Sequence, residues 1–190
     1  KDFIKKELNK SKMFYIKKKK SPTIVKKRFL DIYSNSKVLS LYQFNDDKLN
    51  KKDEQDLQKI ISKKIVDYDL VIVSDYGHGF ISENTAKLIS KKAKFVALNA
   101  QINAANIGLH SLNKYQKVDC IIINEKELRH EFRDKNSEIK PLMKKLSELR
   151  KAKKLIVTQG KSGSILYDKT KNSFIKIQAF AGSAVDKIGA

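Results

Sequence analysis

The chain has 190 residues, of which 41% are hydrophobic and 33% are charged, so it can bury the core of one domain and is too apolar for a disordered segment. It has no apolar run near the ~20 residues that a membrane helix needs, and residues 1–6 lack the apolar centre of a signal peptide. The single cysteine, Cys120, excludes an internal disulfide and lies in an apolar run, which predicts a buried thiol in a strand. These features predict a cytoplasmic protein.

The formal net charge of +20 raises the alternative of nucleic acid binding. However, base recognition and bidentate phosphate contacts favour arginine, and the excess here is almost all lysine. The lysines are spread over every segment, and the run at 17–20 is expected to be a solvated loop. The charge therefore argues against a nucleic acid partner, and a nucleic-acid-binding protein is the third of three hypotheses.

The first part of the chain predicts a small β unit followed by a helix. Residues 13–16 predict a short strand, and residues 23–33 and 37–44 predict two alternating strands that form a hairpin with one solvent-exposed face. Residues 51–66 predict an amphipathic helix, because four apolar side chains recur at helical spacing: Leu57, Ile60, Ile61 and Ile65.

In the rest of the chain, short apolar runs alternate with helical segments. Continuous apolar runs are typical of strands buried on both faces, and four are present: 70–73, 95–98, 120–123 and 155–157. The predicted helices are 83–92, with Ser82 as the N-cap, 125–133 and 137–151. Residues 163–167 and 174–177 predict an antiparallel pair. The pattern indicates an α/β fold with a mostly parallel sheet flanked by helices, from which the early hairpin projects as a lid.

Polar residues and glycines follow all four core strands, at 74–79, 99–106, 124–127 and 158–163. Ligands of open α/β sheets bind at this end of the strands, so these segments are the candidate site. A second interpretation stays open for each of them. Asp75 and Asn124 could cap the following helices, and four glycines could serve tight turns alone: Gly77, Gly79, Gly160 and Gly163.

Several familiar sites are excluded by spacing. The histidines His78, His110 and His130 have no metal-ligand spacing with each other or with cysteine. No Gly-x-Ser-x-Gly elbow follows a core strand, and the chain has neither a Gly-x-x-x-x-Gly-Lys-[Ser/Thr] phosphate loop nor a Gly-x-Gly-x-x-Gly fingerprint.

Three segments together carry a resemblance to a known family. Asn124–Glu127 matches Asn-x-x-Glu after a core strand, 158–163 matches Thr-x-Gly-x-x-Gly, and 186–190 matches the opening of Asp-Thr-x-Gly-Ala-Gly-Asp. In this order and spacing they resemble the ribokinase-type, or PfkB, carbohydrate kinases. The resemblance covers nearly the whole chain and implies a ribokinase-like fold.

The resemblance implies a transferase that moves the γ-phosphoryl group of ATP to a sugar hydroxyl with Mg²⁺ present. It assigns Asn124 and Glu127 to Mg²⁺ through water, and it assigns the nucleotide to Thr158, Gly160 and Gly163. Gly189 and Ala190 would start the anion hole, and Asp186 belongs to the same motif. The family's catalytic Asp would lie two residues beyond Ala190, so we expect a fragment truncated at both ends and inactive by itself.

Within the family, the chain resembles the heptose-7-phosphate 1-kinases. Residues 22–28 resemble their Pro-Thr-Thr-Val-Lys-Thr-Arg lid strand, and 74–79 resemble Ser-Asp-Tyr-x-Lys-Gly with His78 in place of lysine. Asn99-Ala100-Gln101 replaces their Asp-Pro-Lys, which leaves another sugar open. The expected substrate is a phosphorylated sugar such as a heptose phosphate, bound by five side chains: Lys26, Arg28, Asp75, Asn99 and Asn103.

The predicted organisation is one central fragment of a carbohydrate-kinase domain over 1–190, with lid strands within 13–44 and a nucleotide-binding core over 51–190. The alternative function is a non-catalytic α/β module that binds a nucleotide or phosphometabolite. The sequence leaves open whether the protein forms a homodimer and whether the parent carries a fused nucleotidyltransferase domain.

Overall fold

The computed structural model describes residues 2–8, 11–34, 36–101 and 112–180. Three predictions of the sequence lie outside the described residues: the substrate contact at Asn103, His110, and the motif at 186–190 that contains Asp186, Gly189 and Ala190. Within these residues the helices are α1 (Asp2–Glu7), α2 (Lys51–Lys64), α3 (Glu83–Lys92), α4 (Glu125–Phe132) and α5 (Ile139–Leu149). The strands are β1 (Val25–Leu30), β2 (Lys37–Gln43), β3 (Val71–Asp75), β4 (Val96–Ala100), β5 (Cys120–Asn124), β6 (Lys154–Thr158), β7 (Ser164–Asp168) and β8 (Ser173–Ile177).

Strands β3 to β8 form one sheet in sequential order. The first four strands are parallel, and β7 and β8 continue the sheet in antiparallel fashion. Helix α3 connects β3 to β4, and helices α4 and α5 connect β5 to β6, as parallel strands need a crossover connection. The predicted α/β class with a mostly parallel sheet is confirmed, and the antiparallel pair at the end is confirmed with it.

The core lies between the sheet and the helices and contains fully buried side chains from both, including Leu98, Ile121, Leu128, Met143, Leu146 and Leu155. The predicted helices are confirmed: α2 and α4 end one or two residues earlier than predicted, and α5 is two residues shorter at each end. Asn50 caps α2 by accepting a hydrogen bond from the Asp53 amide at 2.9 Å, and Ser82 caps α3 as predicted by accepting one from the Thr85 amide at 3.1 Å. Cys120 is buried in β5, also as predicted. Among the described helices, none is both long and apolar enough to cross a membrane.

Strand β3 corrects the expectation of burial on both faces. Val73 is buried, but Ile72 on the opposite face is 71% exposed. Burial alternates along β3, the first strand in the order of the sheet, because one of its faces packs in the core, where Val73 lies with Ile89 of α3. Side-chain alternation then leaves Ile72 on the uncovered face.

The early β unit also differs from its prediction. Residues 13–16 form no strand, and Phe14 is 52% exposed, because an apolar run of four residues needs a neighbouring strand to pair with. The hairpin does form, as an antiparallel pair of β1 and β2 in a sheet of its own. Both of its faces are exposed, so the prediction of a single solvent-exposed face is wrong.

Candidate functional site

The carboxyl ends of the parallel strands bring the predicted site residues to one edge of the sheet. Ser74 is registered with Asn99 across β3 and β4, and Asn124 with Thr158 across β5 and β6. Between these pairs, β4 and β5 are registered only at Ala97 with Cys120 and Leu98 with Ile121, among the described residues. The sheet therefore opens between its second and third strands at the end where a ligand would bind.

Asn99 lies where this opening begins. Its side-chain amide donates a hydrogen bond of 2.9 Å to the Ile122 carbonyl on β5. The side chain therefore links the two strands beyond the last registered pair of backbones. This hydrogen bond fixes the spacing of the two strands at the opening. The side-chain oxygen of Asn99 can still accept a hydrogen bond from a ligand.

Asp75, at the end of β3, is 3% exposed and carries several hydrogen bonds. One oxygen accepts from Lys114 Nζ at 2.5 Å and from the Tyr115 hydroxyl at 2.6 Å, and the other accepts from the Gly77 amide at 2.9 Å. Burial is the largest influence on this carboxyl and disfavours its charge. The donors from Lys114 and Tyr115 outweigh it and lower the pKa of Asp75 below its ordinary value.

Sequence reasoning missed Lys114 and Tyr115. Tyr115 is fully buried, and burial first, then the negative charge of Asp75, raises the pKa of its hydroxyl far above the ordinary value. Lys114 also donates to the Ile81 carbonyl at 2.9 Å, so it fastens the loop after β3 to the connection between β4 and β5. Asp75 does not cap the next helix, since Ser82 does. A Lys-Tyr pair in a loop gives no periodic signal, so only the fold reveals this cluster.

Asn124 and Glu127 form a reciprocal cap at the start of α4. The Asn124 side chain accepts from the Glu127 amide at 2.9 Å, and the buried Glu127 carboxylate accepts from the Asn124 amide at 2.8 Å. The helix-cap interpretation of Asn124 is therefore correct. The arrangement still fits a water-mediated Mg²⁺ contact, because hard oxygen donors suit the ion and a carboxylate has about four lone-pair sites for hydrogen bonds. Across the described ranges, no group of three or more His, Cys, Asp and Glu side chains could hold a metal ion directly.

The loop from Thr158 to Gly163 is a tight turn shaped by two glycines. Gly160 has φ +59° and Gly163 has φ +83°, values that favour glycine. A Cβ atom on Gly163 would lie 1.9 Å from the Ile177 carbonyl oxygen, so the loop packs directly against the end of β8. Gln159 donates to Glu125 at 2.9 Å, which lowers the pKa of that carboxyl and ties the loop to the start of α4.

The hairpin presents two different faces. Lys26 is registered with Tyr42 and Arg28 with Ser40, so these four side chains share what we call the polar face. Val25, Phe29, Leu39 and Leu41 lie on the opposite face, together with Lys27. Lys26 Nζ lies 5.7 Å from the centre of the Tyr42 ring, within the range of a cation–π contact. The predicted placement of Lys26 and Arg28 on one side of the strand is confirmed by this register.

The base of the hairpin rests on the loop after β3. The Phe44 ring lies 5.0 Å from the His78 ring, and Lys18 Nζ donates to the carbonyls of Asn45 at 2.8 Å and His78 at 3.2 Å. A Cβ atom on Gly79 would lie 2.2 Å from the Asp47 carbonyl oxygen, so only glycine permits this approach. The hairpin is thereby fixed beside the carboxyl end of the sheet.

Comparison with known proteins decides the family. Residues 2–190 match the model described as the pfkB family carbohydrate kinase. The chain belongs to the pfkB family. A curated relative from Desulfatibacillum aliphaticivorans, "Bifunctional protein HldE", is 26% identical over 163 residues, which are 84% of this pfkB-family chain and 32% of the relative. The chain thus spans about a third of that relative's length.

Solved structures agree with this fold. The crystal structure of Sa239 superposes with a TM-score of 0.72 at 17% identity, covering 97% of this chain and 59% of the other. The structure of Arabidopsis thaliana ribokinase complexed with ribose and ATP gives a TM-score of 0.59 at 16% identity, covering 90% of this chain and 53% of the other. At such identities the likeness establishes the ribokinase-like fold of the pfkB-family chain.

Proposed function

We propose that the protein transfers the γ-phosphoryl group of ATP to a hydroxyl of a phosphorylated sugar, of the heptose phosphate class. Family membership supports the sugar kinase activity. The observation that favours a phosphorylated acceptor is the pair Lys26 and Arg28 on the polar face of a hairpin held beside the sheet edge. Two cations on one face complement a phosphate group, because charge-assisted hydrogen bonds to phosphate are strong.

The nucleotide is assigned to the loop that contains Thr158, Gly160 and Gly163. Its glycines keep the backbone free of side-chain bulk, so a phosphate or ribose can approach closely. Support comes from the position of the loop after a core strand, and from the bonds that tie it to the start of α4 and the end of β8. Arabidopsis ribokinase, whose fold is similar, was solved with ATP.

Bound Mg²⁺ would neutralise the charge that develops on the transferred phosphoryl group. Asn124 and Glu127 are the proposed residues for holding its water shell, since Asn124 is registered with Thr158 of the proposed nucleotide loop and Glu127 is hydrogen-bonded to Asn124. The protein's own part in the transfer is to position both substrates and to exclude water, because phosphoryl transfer requires little covalent chemistry from the protein.

Asp75 and Asn99 are proposed to shape the acceptor side of the site. Because Lys114 and Tyr115 already bind the Asp75 carboxylate, its proposed role is to hold the loop that carries residues 76–81 in place. Asn99 keeps the opening between β4 and β5. A fused nucleotidyltransferase domain, a homodimer and a cytoplasmic location stay predictions.

The test is a substrate comparison on the full-length protein, with heptose 7-phosphate and the unphosphorylated heptose as acceptors and ATP as donor. We expect transfer to the phosphate ester, and we expect Arg28→Ala to raise its KM roughly 10- to 100-fold, as loss of a charge-assisted hydrogen bond implies. Lys27→Ala is the matched control, because Lys27 lies on the opposite face of the same strand. Equal use of both acceptors, or an equal KM effect on both, would contradict the phosphorylated acceptor. ATP binding without transfer to any sugar would favour a non-catalytic module.

A further inference from the structure

We infer that His78 binds the phosphate group of the acceptor sugar and is a specificity-determining residue of this site. The inference rests on the proposed function, since it assigns a further residue to binding of the same acceptor sugar.

The first observation is an unsatisfied polar atom. Nδ1 of His78 is buried and has no hydrogen-bond partner in the part of the chain that the structure describes. Buried polar atoms in native proteins are nearly always paired, so an exception calls for a missing partner such as a ligand. The other contacts of the residue are accounted for, since its ring packs on Phe44 and its carbonyl accepts from Lys18.

A second unsatisfied atom lies on the hairpin. Ser40 Oγ is buried without a hydrogen-bond partner among the described residues, and Ser40 is the one half-buried residue of β1 and β2, whose other residues are exposed. Its registered neighbour is Arg28, so it belongs to the polar face. Phe44 follows the end of β2 and contacts His78. Ser40 Oγ is therefore the second candidate contact for the acceptor, on the face that carries Lys26 and Arg28.

The charges around His78 come from two lysines and two aspartates. Lys26 approaches it from β1 and Lys18 from the segment before the hairpin, while Asp46 and Asp75 oppose them from the segment after β2 and from the end of β3. Burial first, then the positive charge of Lys26, lowers the pKa of His78 below its ordinary value. Both influences are offset when a phosphate binds, because the anion pairs with Lys26 and accepts a hydrogen bond from the imidazole.

A neutral sugar hydroxyl would satisfy Nδ1 but would offer no charge to Lys26 and Arg28 on the polar face. A phosphate ester would satisfy Nδ1 and would also pair with these cations. His78 would then carry a proton in the complex that it lacks in the free protein, so acceptor binding takes up a proton.

The experiment measures binding of heptose 7-phosphate and of heptose to the full-length protein by calorimetry without ATP, with the wild type, His78→Gln and His78→Lys. We expect His78→Gln to weaken binding of the phosphate ester roughly 10- to 100-fold and binding of heptose by less than about threefold. His78→Lys carries a permanent charge, so it should retain the preference for the ester. It should also abolish the proton uptake seen in wild-type protein when buffers of different ionisation enthalpy are compared. The phosphate ester itself titrates with the wild type and with His78→Lys alike. The difference in proton uptake between these two proteins therefore reports the protonation of His78.

Ser40→Ala provides a second variant. If Ser40 Oγ meets the acceptor, its removal weakens acceptor binding while the melting temperature of the free protein stays equal or rises, since an unsatisfied buried hydroxyl is lost. Unchanged ester binding in folded His78→Gln, or the same proton uptake in His78→Lys, would overturn the inference even if the protein is a sugar kinase. If His78→Gln fails to fold, two results together would overturn the inference: unchanged ester binding in Ser40→Ala, and proton uptake in His78→Lys equal to that of the wild type. Failure of the wild type to phosphorylate any sugar would instead overturn the proposed function, while the binding preference still tests His78.

Discussion

The hydroxyl of Tyr115 donates a hydrogen bond of 2.6 Å to Asp75, although the two residues are 40 positions apart in the sequence. Asp75 ends a parallel strand, and Tyr115 lies in the connection between the next two strands. Lys114 adds an ion pair to the same carboxylate oxygen. This cluster fixes two of the loops that surround the candidate site, so its variants should reveal how much the site depends on buried charge.

The first prediction concerns Tyr115→Phe, which removes one donor and leaves the ring in place. We expect a loss of about 1–2 kcal/mol in the free energy of unfolding, because a charged acceptor loses one of its buried hydrogen bonds. Urea denaturation of the two proteins measures this. Tyr33→Phe is the control, since Tyr33 is 94% exposed and should change stability by less than about 0.5 kcal/mol. Equal midpoints for wild type and Tyr115→Phe would show that the hydrogen bond contributes nothing.

The second prediction concerns Lys114→Met, which leaves the buried Asp75 carboxylate without its cation. We expect about 3–5 kcal/mol of destabilisation at pH 7, as for other broken buried ion pairs. The wild-type pKa of Asp75 is lowered on folding, so the stability that this group supplies is present at neutral pH and is lost as pH falls through the folded pKa.

The variant should show the opposite tendency, because burial without Lys114 raises the pKa of Asp75 and favours the protonated form. The difference in stability between the wild type and Lys114→Met should therefore shrink between pH 7 and about pH 4, near the ordinary aspartate pKa. Denaturant titrations at several pH values measure the difference. A stability difference that stays constant between pH 7 and pH 4 would mean that the effect of Lys114→Met does not depend on the ionisation of Asp75.

The third prediction separates the two interpretations of Glu127. Glu127→Gln should change stability by less than about 1 kcal/mol, because glutamine also closes a capping box with Asn124. Turnover at limiting Mg²⁺ should fall if the carboxylate holds the water shell of the ion. Asn124→Ala breaks the cap itself and should cost about 1 kcal/mol. Wild-type turnover of Glu127→Gln at limiting Mg²⁺ would assign Glu127 to the cap alone.

The fourth prediction compares two glycines of one loop. Both Gly160 and Gly163 have positive φ, and alanine at such a position costs about 1–2 kcal/mol. Gly163→Ala should cost more, because its Cβ would lie 1.9 Å from the Ile177 carbonyl oxygen and would push the loop away from β8. We expect a larger loss of thermal stability and of ATP affinity for Gly163→Ala than for Gly160→Ala. Equal effects would show that backbone conformation alone explains both glycines.

Much of the local structure could be predicted from the sequence because the signals are local. Helix and strand positions follow from side-chain periodicity, and the caps at Ser82 and Asn124 follow from residue type. The hairpin register follows in part from alternation, which places Lys26 and Arg28 on one face. The prediction at residues 13–16 failed because an isolated strand has no intrinsic stability, and the sequence does not say which runs find a partner.

The sequence by itself determined the fold class, the helices and core strands in their order along the chain, and the polar segments after each core strand. The tertiary structure decided which of those polar groups are already bound by the protein. Asp75 is engaged by Lys114 and Tyr115, whereas His78 Nδ1 and Ser40 Oγ are buried without partners among the described residues. Hydrogen bonding and burial at these positions depend on chain segments tens of residues apart, so periodicity and spacing along one stretch of chain contain no information about them.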